Sequence, residues 1–202
     1  VRFDTAALPG GIQMQYAEVG PRSGEPVLML HGYTDSWRAF LPLFAHMPGG
    51  YRLIVPDQRG HGMSSAPACC YRMSDFEADA IALLDELGID GAIVVGHSMG
   101  SLVAQRVAMN HPSRVRGLAL IGSGAYVAIP PLLELQSMVD TLSDPVPVEF
   151  ARAFQEGSVY LMPDRALMDS IIAGSARMPA RIWRDVLRGI IEGDPRGNLR
   201  GI

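Results

Sequence analysis

The chain has 202 residues, 48% hydrophobic and 19% charged, with a formal net charge of −4. That is one globular domain with material for a sizeable core, and nothing in it invites nucleic acid or an anionic membrane surface. All 17 basic residues are arginine, which excludes lysine Schiff-base chemistry and a P-loop lysine.

The two cysteines, Cys69 and Cys70, are adjacent. Neighbours in sequence rarely form a good disulfide, so they read as free thiols, and no Cys/His spacing points to zinc. No apolar run reaches bilayer length and no signal peptide is visible, so the expectation is a cytoplasmic protein with no membrane partner.

Strand and helix signals then alternate along the chain. Ile12 to Gly20 alternates apolar and polar residues, as a half-buried strand does. Pro26 to Gly32 is a continuous apolar run, expected as a strand buried on both faces. SWRAFLPLFAHM reads as a helix, Tyr51 to Asp57 as a second buried strand, and QRGHGMSSAP as a loop. Ser74 and Glu77 form an expected capping box for a helix carrying Phe76, Ala80, Leu83, Leu84 and Leu87, with Gly88 as its stop. Gly91 to Gly96 is a third buried strand, Ser98 to Asn110 a helix ended by His111-Pro112, and Val115 to Ser123 a fourth buried strand. Strands separated by helices argue for an α/β fold with a mostly parallel sheet covered on both faces.

After Ser123 no strand is expected. Four helical faces follow: Leu132, Leu135 and Val139; Phe150 and Phe154; Leu167, Met168, Ile171 and Ile172; and Ile182 through Ile191. Breaks fall at Asp144-Pro145, Met162-Pro163, Met178-Pro179 and Asp194-Pro195. By periodicity alone these are core helices. Met138, Met162 and Met168 are candidates to line an apolar pocket, with core filling the alternative.

The stretch VVGHSMGSLVA, Val94 to Ala104, carries the chemistry. G-H-S-M-G is a G-x-S-x-G pattern with a strand before it and a helix after it, which is the context the motif requires. The chain must reverse sharply at Ser98, in strained backbone geometry. Gly96 and Gly100 let strand and helix approach closely. The Ser98 hydroxyl is then raised above the sheet at a helix N-terminus, where free amides and the dipole favour negative charge. The bland alternative is a serine that caps a helix. An acyl-transfer enzyme also needs oxyanion donors. The backbone amide of Met99 is one candidate. The second is assigned to the amide of Tyr33, in the loop His31-Gly32-Tyr33, with Gly32 as the fallback.

Three pieces, LHGYTDSW (Leu30 to Trp37), VPDQRGHGMSS (Val55 to Ser65) and VVGHSMGSLVA, resemble the α/β-hydrolase superfamily in their order and spacing. The resemblance covers Ile12 to Ser123 and implies a core over residues 1–123, with a helical cap or lid over 124–202. It implies a cofactor-free enzyme with Ser98 as nucleophile and Met99 and Tyr33 as oxyanion amides, and it places His31, Gly32, Gly96, His97 and Gly100 in motif or pocket roles. Asp57 resembles the family's structural carboxylate, not a triad acid. Related epoxide hydrolases and haloalkane dehalogenases carry aspartate where this chain has Ser98. Serine points to carboxylic esters, thioesters, lactones, C–C bonds of vinylogous diketones, or cofactor-free haloperoxidase chemistry. The implied partner is a small, ester-like molecule.

The family's triad runs Ser, then Asp or Glu, then His. The five histidines are His31, His46, His61, His97 and His111, and none follows position 111. His46 and His111 read as surface residues at helix ends, and Glu156 and Asp169 as solvated helix charges. The triad acid and base are therefore expected outside this chain, on strands and a loop beyond Ile202, with the C-terminal part of the sheet missing. Three readings follow: a hydrolase of which these residues are a part, a non-catalytic small-ligand binder on the same pocket, or a structural protein.

Overall fold

The computed structural model describes residues 1–124 and 128–193. Its centre is a six-stranded sheet: β1 (Arg2–Leu8), β2 (Ile12–Val19), β3 (Glu25–Leu30), β4 (Tyr51–Pro56), β5 (Ala92–His97) and β6 (Val115–Ile121), in the order β1-β2-β4-β3-β5-β6. β1 and β2 form an antiparallel hairpin, and β2 runs antiparallel to β4. The β3–β4, β3–β5 and β5–β6 pairs are parallel, so the sheet is mostly parallel as expected.

β1 was not expected. Four of its first residues are exposed, so it lacks the apolar alternation that marks a strand. Its register comes from the turn instead. Gly10 and Gly11 both take positive φ, 75° and 77°, and bring Leu8 opposite Ile12.

The apolar run of β3 is buried on both faces. Leu28 and Leu30 enter one core cluster, with Phe76, Leu83, Val103 and Val107. Val27 and Met29 enter the other, with Trp37, Phe40, Leu53 and Val55. α2 (Met73–Glu86) and α3 (Met99–Asn110) cover the first face. The segment expected as one helix from Ser36 is a 3-10 turn, Trp37–Phe40, followed by a single α-turn, α1 (Leu41–Phe44). Pro42 offers no N–H, which suits the first turn of a helix and not its interior.

Two further expectations shift. The cap of α2 lies two residues earlier than Ser74: Arg72 is the N-cap residue, and its N–H donates to Asp75 Oδ2 at 2.8 Å. Glu77 instead accepts from Arg106 Nε and Asn110 Nδ2, both at 2.7 Å, tying α2 to α3. β6, expected as a buried strand, has one neighbour among the described residues, and Leu120 and Ile121 are exposed. Cys69 and Cys70, expected as free thiols, are paired with each other in the loop before α2, where Cys70 takes left-handed backbone.

The block after β6 is helical as expected: α4 (Pro130–Val139), α5 (Val148–Gly157), α6 (Arg165–Arg177) and α7 (Ala180–Glu192). The Asp194-Pro195 break lies outside the described residues. Asp164 caps α6 by accepting from Ala166 N at 2.9 Å, and Asp144 Oδ1 accepts from Ala180 N at the start of α7 at 2.7 Å. The apolar stripes point inward: Val139, Ala151, Met168, Ile172, Val186, Leu187 and the wholly buried Trp183 join the same cluster as the sheet. No described helix is long and apolar enough to cross a membrane.

Candidate active site

Ser98 sits between the end of β5 and the start of α3 with φ 50° and ψ −118°, in the left-handed region that L-residues avoid. The turn is set by its neighbours. A Cβ on Gly96 would collide with the Gly100 carbonyl, and one on Gly100 with the Leu30 carbonyl. Strand, elbow and helix are therefore packed backbone to backbone. The Ser98 N–H donates to Ile121 O at 2.9 Å, and the Ser98 carbonyl accepts from Ser101 N at 2.8 Å. With its main chain fixed at both ends, the residue presents an exposed side chain above the C-terminal edge of the sheet.

Two cavities meet there. One, of about 410 Å³, is lined by Asp35, His97, Phe154, Leu161, Leu167 and Ile171, among others. The other, of about 280 Å³, is lined by Met99, Leu102, Leu132, Leu135, Leu187 and Ile190, among others. Both touch Tyr33, Ser98, Gly122 and Phe154. A more open cleft of about 590 Å³ beside Cys69 and Cys70 carries Arg72, Asp75, Asp185, Arg188 and Glu192 and does not reach Ser98. Of the three methionines expected as lining candidates, Met168 lines the first cavity, while Met138 and Met162 are exposed outside both.

The His31–Asp35 loop is held from above and below. His31 is fully buried; its Nδ1 pairs with Gly32 O at 2.8 Å, and its Nε2 accepts from Gln58 N at 3.0 Å. Those two bonds fix one neutral tautomer, and burial lowers its pKa to about 4. Three helices of the later block hold the other side. Tyr33 Oη donates to Trp183 O in α7 at 2.7 Å. Gln155 Nε2 in α5 donates to Thr34 Oγ1 at 3.0 Å, and Ser175 Oγ in α6 donates to Thr34 O at 2.9 Å. The Tyr33 and Met99 backbone amides have no hydrogen-bond partner among the described residues. Burial holds the Tyr33 phenol well above its usual pKa, so it stays neutral.

Asp57 accepts from Trp37 N at 2.9 Å and Met63 N at 3.0 Å, which fits a loop-bracing carboxylate. Gly62 is needed there, since a Cβ would collide with that carboxylate. His61 is buried, paired with Arg59 O at 2.8 Å, and burial lowers its pKa to about 3. His46 is exposed, and His111 lies 3.3 Å from Glu77. Glu156 and Asp169 are exposed partners of Arg152. No histidine hydrogen-bonds the Ser98 hydroxyl among the described residues.

Sequence reasoning gave no role to Asp35, Gln155 or Arg59. Asp35 stands in the cavity with Oδ2 3.8 Å from His97 Nδ1. Burial raises its carboxyl pKa to about 7, and burial lowers that of His97. Arg59 and Asp79 form a buried two-bond pair, 2.6 Å at each contact, that anchors the loop before α2. The Arg in D-x-R-G and a helix-borne acid were both readable; their pairing was not.

A strand–elbow–helix serine on such a sheet defines a hydrolase-type α/β architecture. A family model described as alpha/beta hydrolase fold matches residues 25–160, and the chain belongs to that family. It is 35% identical over 166 residues to a non-heme chloroperoxidase of Streptomyces lividans, covering 80% of this chain and 55% of that protein. It is 29% identical over 187 residues to epoxide hydrolase A of Mycobacterium tuberculosis, covering 89% of this chain and 52% of that one. The chain thus spans about half the length of these curated relatives. A solved esterase from Exiguobacterium antarcticum superposes with a TM-score of 0.82 at 22% identity, covering 98% of this chain and 76% of that one, a likeness of fold.

Proposed function

We propose that this chain carries the nucleophile of a serine hydrolase that acts through an acyl-enzyme on a small, mostly apolar carboxylic ester. The observation that carries the reading is Ser98 itself: an exposed hydroxyl on strained backbone, where two cavities meet. Strain at one residue costs of order 1–3 kcal/mol and persists only where the surroundings impose it. Here it aims the hydroxyl at a bound carbonyl. Two cavities meeting at one oxygen suit the two halves of an ester.

In this mechanism a base takes the Ser98 proton, Ser98 Oγ bonds to the carbonyl carbon, and the alcohol leaves with a proton. Water then releases the acid. The Met99 and Tyr33 amides receive the oxyanion, and α5 to α7, within the 124–202 block, act as the lid that shapes the cavity. The base and its carboxylate partner come from outside these residues. A haloperoxidase-type reaction at the same serine, with hydrogen peroxide replacing water on the acyl-enzyme, is the second reading. The 35% identity to a protein named as a chloroperoxidase favours it.

The test uses the full chain as encoded. A fluorophosphonate should add to Ser98, located by peptide mass spectrometry, and Ser98→Ala should lower turnover of an aryl ester by about 10⁴ or more. Turnover retained in a folded Ser98→Ala protein would refute the assignment.

A further inference from the structure

The cavity beside Ser98 is lined largely by apolar side chains, with Asp35, His97, Gln155 and Ser158 among its few polar ones. A methyl group on Gly32 would lie 3.0 Å from Asp35 Oδ2, 3.1 Å from His97 Nδ1 and 3.2 Å from Ser98 Cβ. These three groups therefore crowd round Gly32, so that a carboxyl, an imidazole and the serine share one corner of the cavity. Asp35 Oδ1 is turned away, 3.4 Å from Gln155 Nε2. Oδ2 lies on the His97 side, and its 3.8 Å separation from His97 Nδ1 is too long for a hydrogen bond.

We propose that Asp35 and His97 form a polar subsite that takes a second carbonyl oxygen of the substrate, selecting small esters or lactones whose acyl part carries an oxo group one or two carbons from the scissile carbonyl. This rests on the reading of Ser98 as nucleophile. That closeness sets the spacing, because an oxygen hydrogen-bonded to Asp35 Oδ2 is within a few bonds of a carbonyl attached to Ser98. Burial sets the polarity. With its pKa raised to about 7, the Asp35 carboxyl retains its proton into the neutral range and is a donor. His97, its pKa lowered by burial, is uncharged there. A neutral donor in a cavity lined largely by apolar side chains matches an acceptor-only oxygen. A ligand lacking that oxygen leaves the donor unpaired, at a cost of about 1–3 kcal/mol.

The titratable and charged groups facing Asp35 are His97 from the end of β5, with Arg38 and Arg177 in the cleft behind it. From α5 the facing groups are the neutral Gln155 and Ser158.

The experiment compares methyl 3-oxohexanoate with methyl hexanoate on the full chain as encoded, in wild type, Asp35→Leu and Asp35→Asn. The readout is the ratio of the two kcat/KM values from pH 5.5 to 8.5. Asp35→Leu should lower the oxo preference by about 10- to 100-fold. Asp35→Asn, which keeps a donor, should restore most of it. The wild-type ratio should fall as pH rises through about 7, where the carboxyl loses its proton, while the Asn ratio stays flat. Should Asp35→Leu fail to fold, the contrast in pH profile between wild type and Asp35→Asn decides alone. An equal ratio in all variants, or a pH-independent wild-type ratio, overturns the subsite while leaving Ser98 as nucleophile. If neither ester is turned over and fluorophosphonate does not label Ser98, the parent reading fails and the subsite falls with it.

Discussion

Tyr33→Phe separates a structural phenol from a catalytic amide. The substitution removes one oxygen and leaves the main chain in place. In the folded protein that oxygen donates to Trp183 O at 2.7 Å, and the ring packs edge-on against Phe154 and Trp183, both at 5.4 Å. The ring contacts survive in phenylalanine. What is lost is one buried hydrogen bond, about 1 kcal/mol, because the Trp183 carbonyl lies inside α7 and keeps its helical partner. In a domain of this size that corresponds to a Tm lower by about 2–4 °C. If the oxyanion donor is the Tyr33 backbone N–H, kcat on an aryl ester stays nearly unchanged. If the phenol were the donor, kcat would fall by about 10²–10³. Thermal denaturation and steady-state kinetics on the same preparation read both quantities. A hundredfold loss of kcat with an unchanged Tm would refute the assignment and move the role to the hydroxyl.

Gly100→Ala places a Cβ into the Leu30 and His31 carbonyls. Backbone on both sides cannot yield, so a loss of about 1–3 kcal/mol or more and reduced fluorophosphonate labelling at Ser98 are expected; an unchanged melting curve would show that the elbow is looser than described. Trimming Leu161, Leu167 or Ile171 to Ala should raise relative rates on longer acyl chains and leave the pH profile in place, since these residues line the larger cavity and carry no charge. Equal losses on all chain lengths would make that wall plain core.

The elements around Ser98 could be read because each is over-determined. β5 is an apolar run, two glycines flank the serine, and the helix has its own period. Where one local signal was asked to decide alone, it failed. β1, at the sheet edge, buries only Ala6 and Leu8, too short an apolar face to mark a strand, and its place depends on two glycines in the following turn. Val115 to Ile121 has the apolar content of a central strand yet has one partner among the described residues, a fact no local pattern encodes. Ser74-x-x-Glu77 matches a capping box in letters, but Glu77 is recruited by Arg106 and Asn110 from α3. Asp35, inside LHGYTDSW, carries no local signal of a place in the cavity. Its burial follows from α5 and α6 folding over the loop 120 residues later in the chain.

Burial of Asp35 has a consequence for stability that needs no substrate to observe. Its carboxyl is raised from an ordinary 3.8 to about 7 in the folded protein. A raised carboxyl contributes stability that is complete below the unfolded pKa and is lost as pH climbs through the folded one. The wild type should therefore lose stability between pH 4 and pH 7 on account of this group, by up to about 4 kcal/mol. The side chain is 11% exposed, so solvent screening trims that only in part. Asparagine cannot ionise and can still accept from Gln155. Asp35→Asn should match the wild type near pH 4 and exceed it by a few kcal/mol above pH 7, in urea titrations run at both pH values. His31 and His61, lowered to about 4 and about 3, lose stability in the opposite sense, as pH falls from about 6.5. They are common to both proteins and cancel in the difference. A difference that stays constant across this range would mean an ordinary, solvated carboxylate at position 35, with no proton to offer a ligand at neutral pH. A difference that grows with pH would mark a residue kept at a cost to the fold, which is how a binding group is distinguished from a stabilising one.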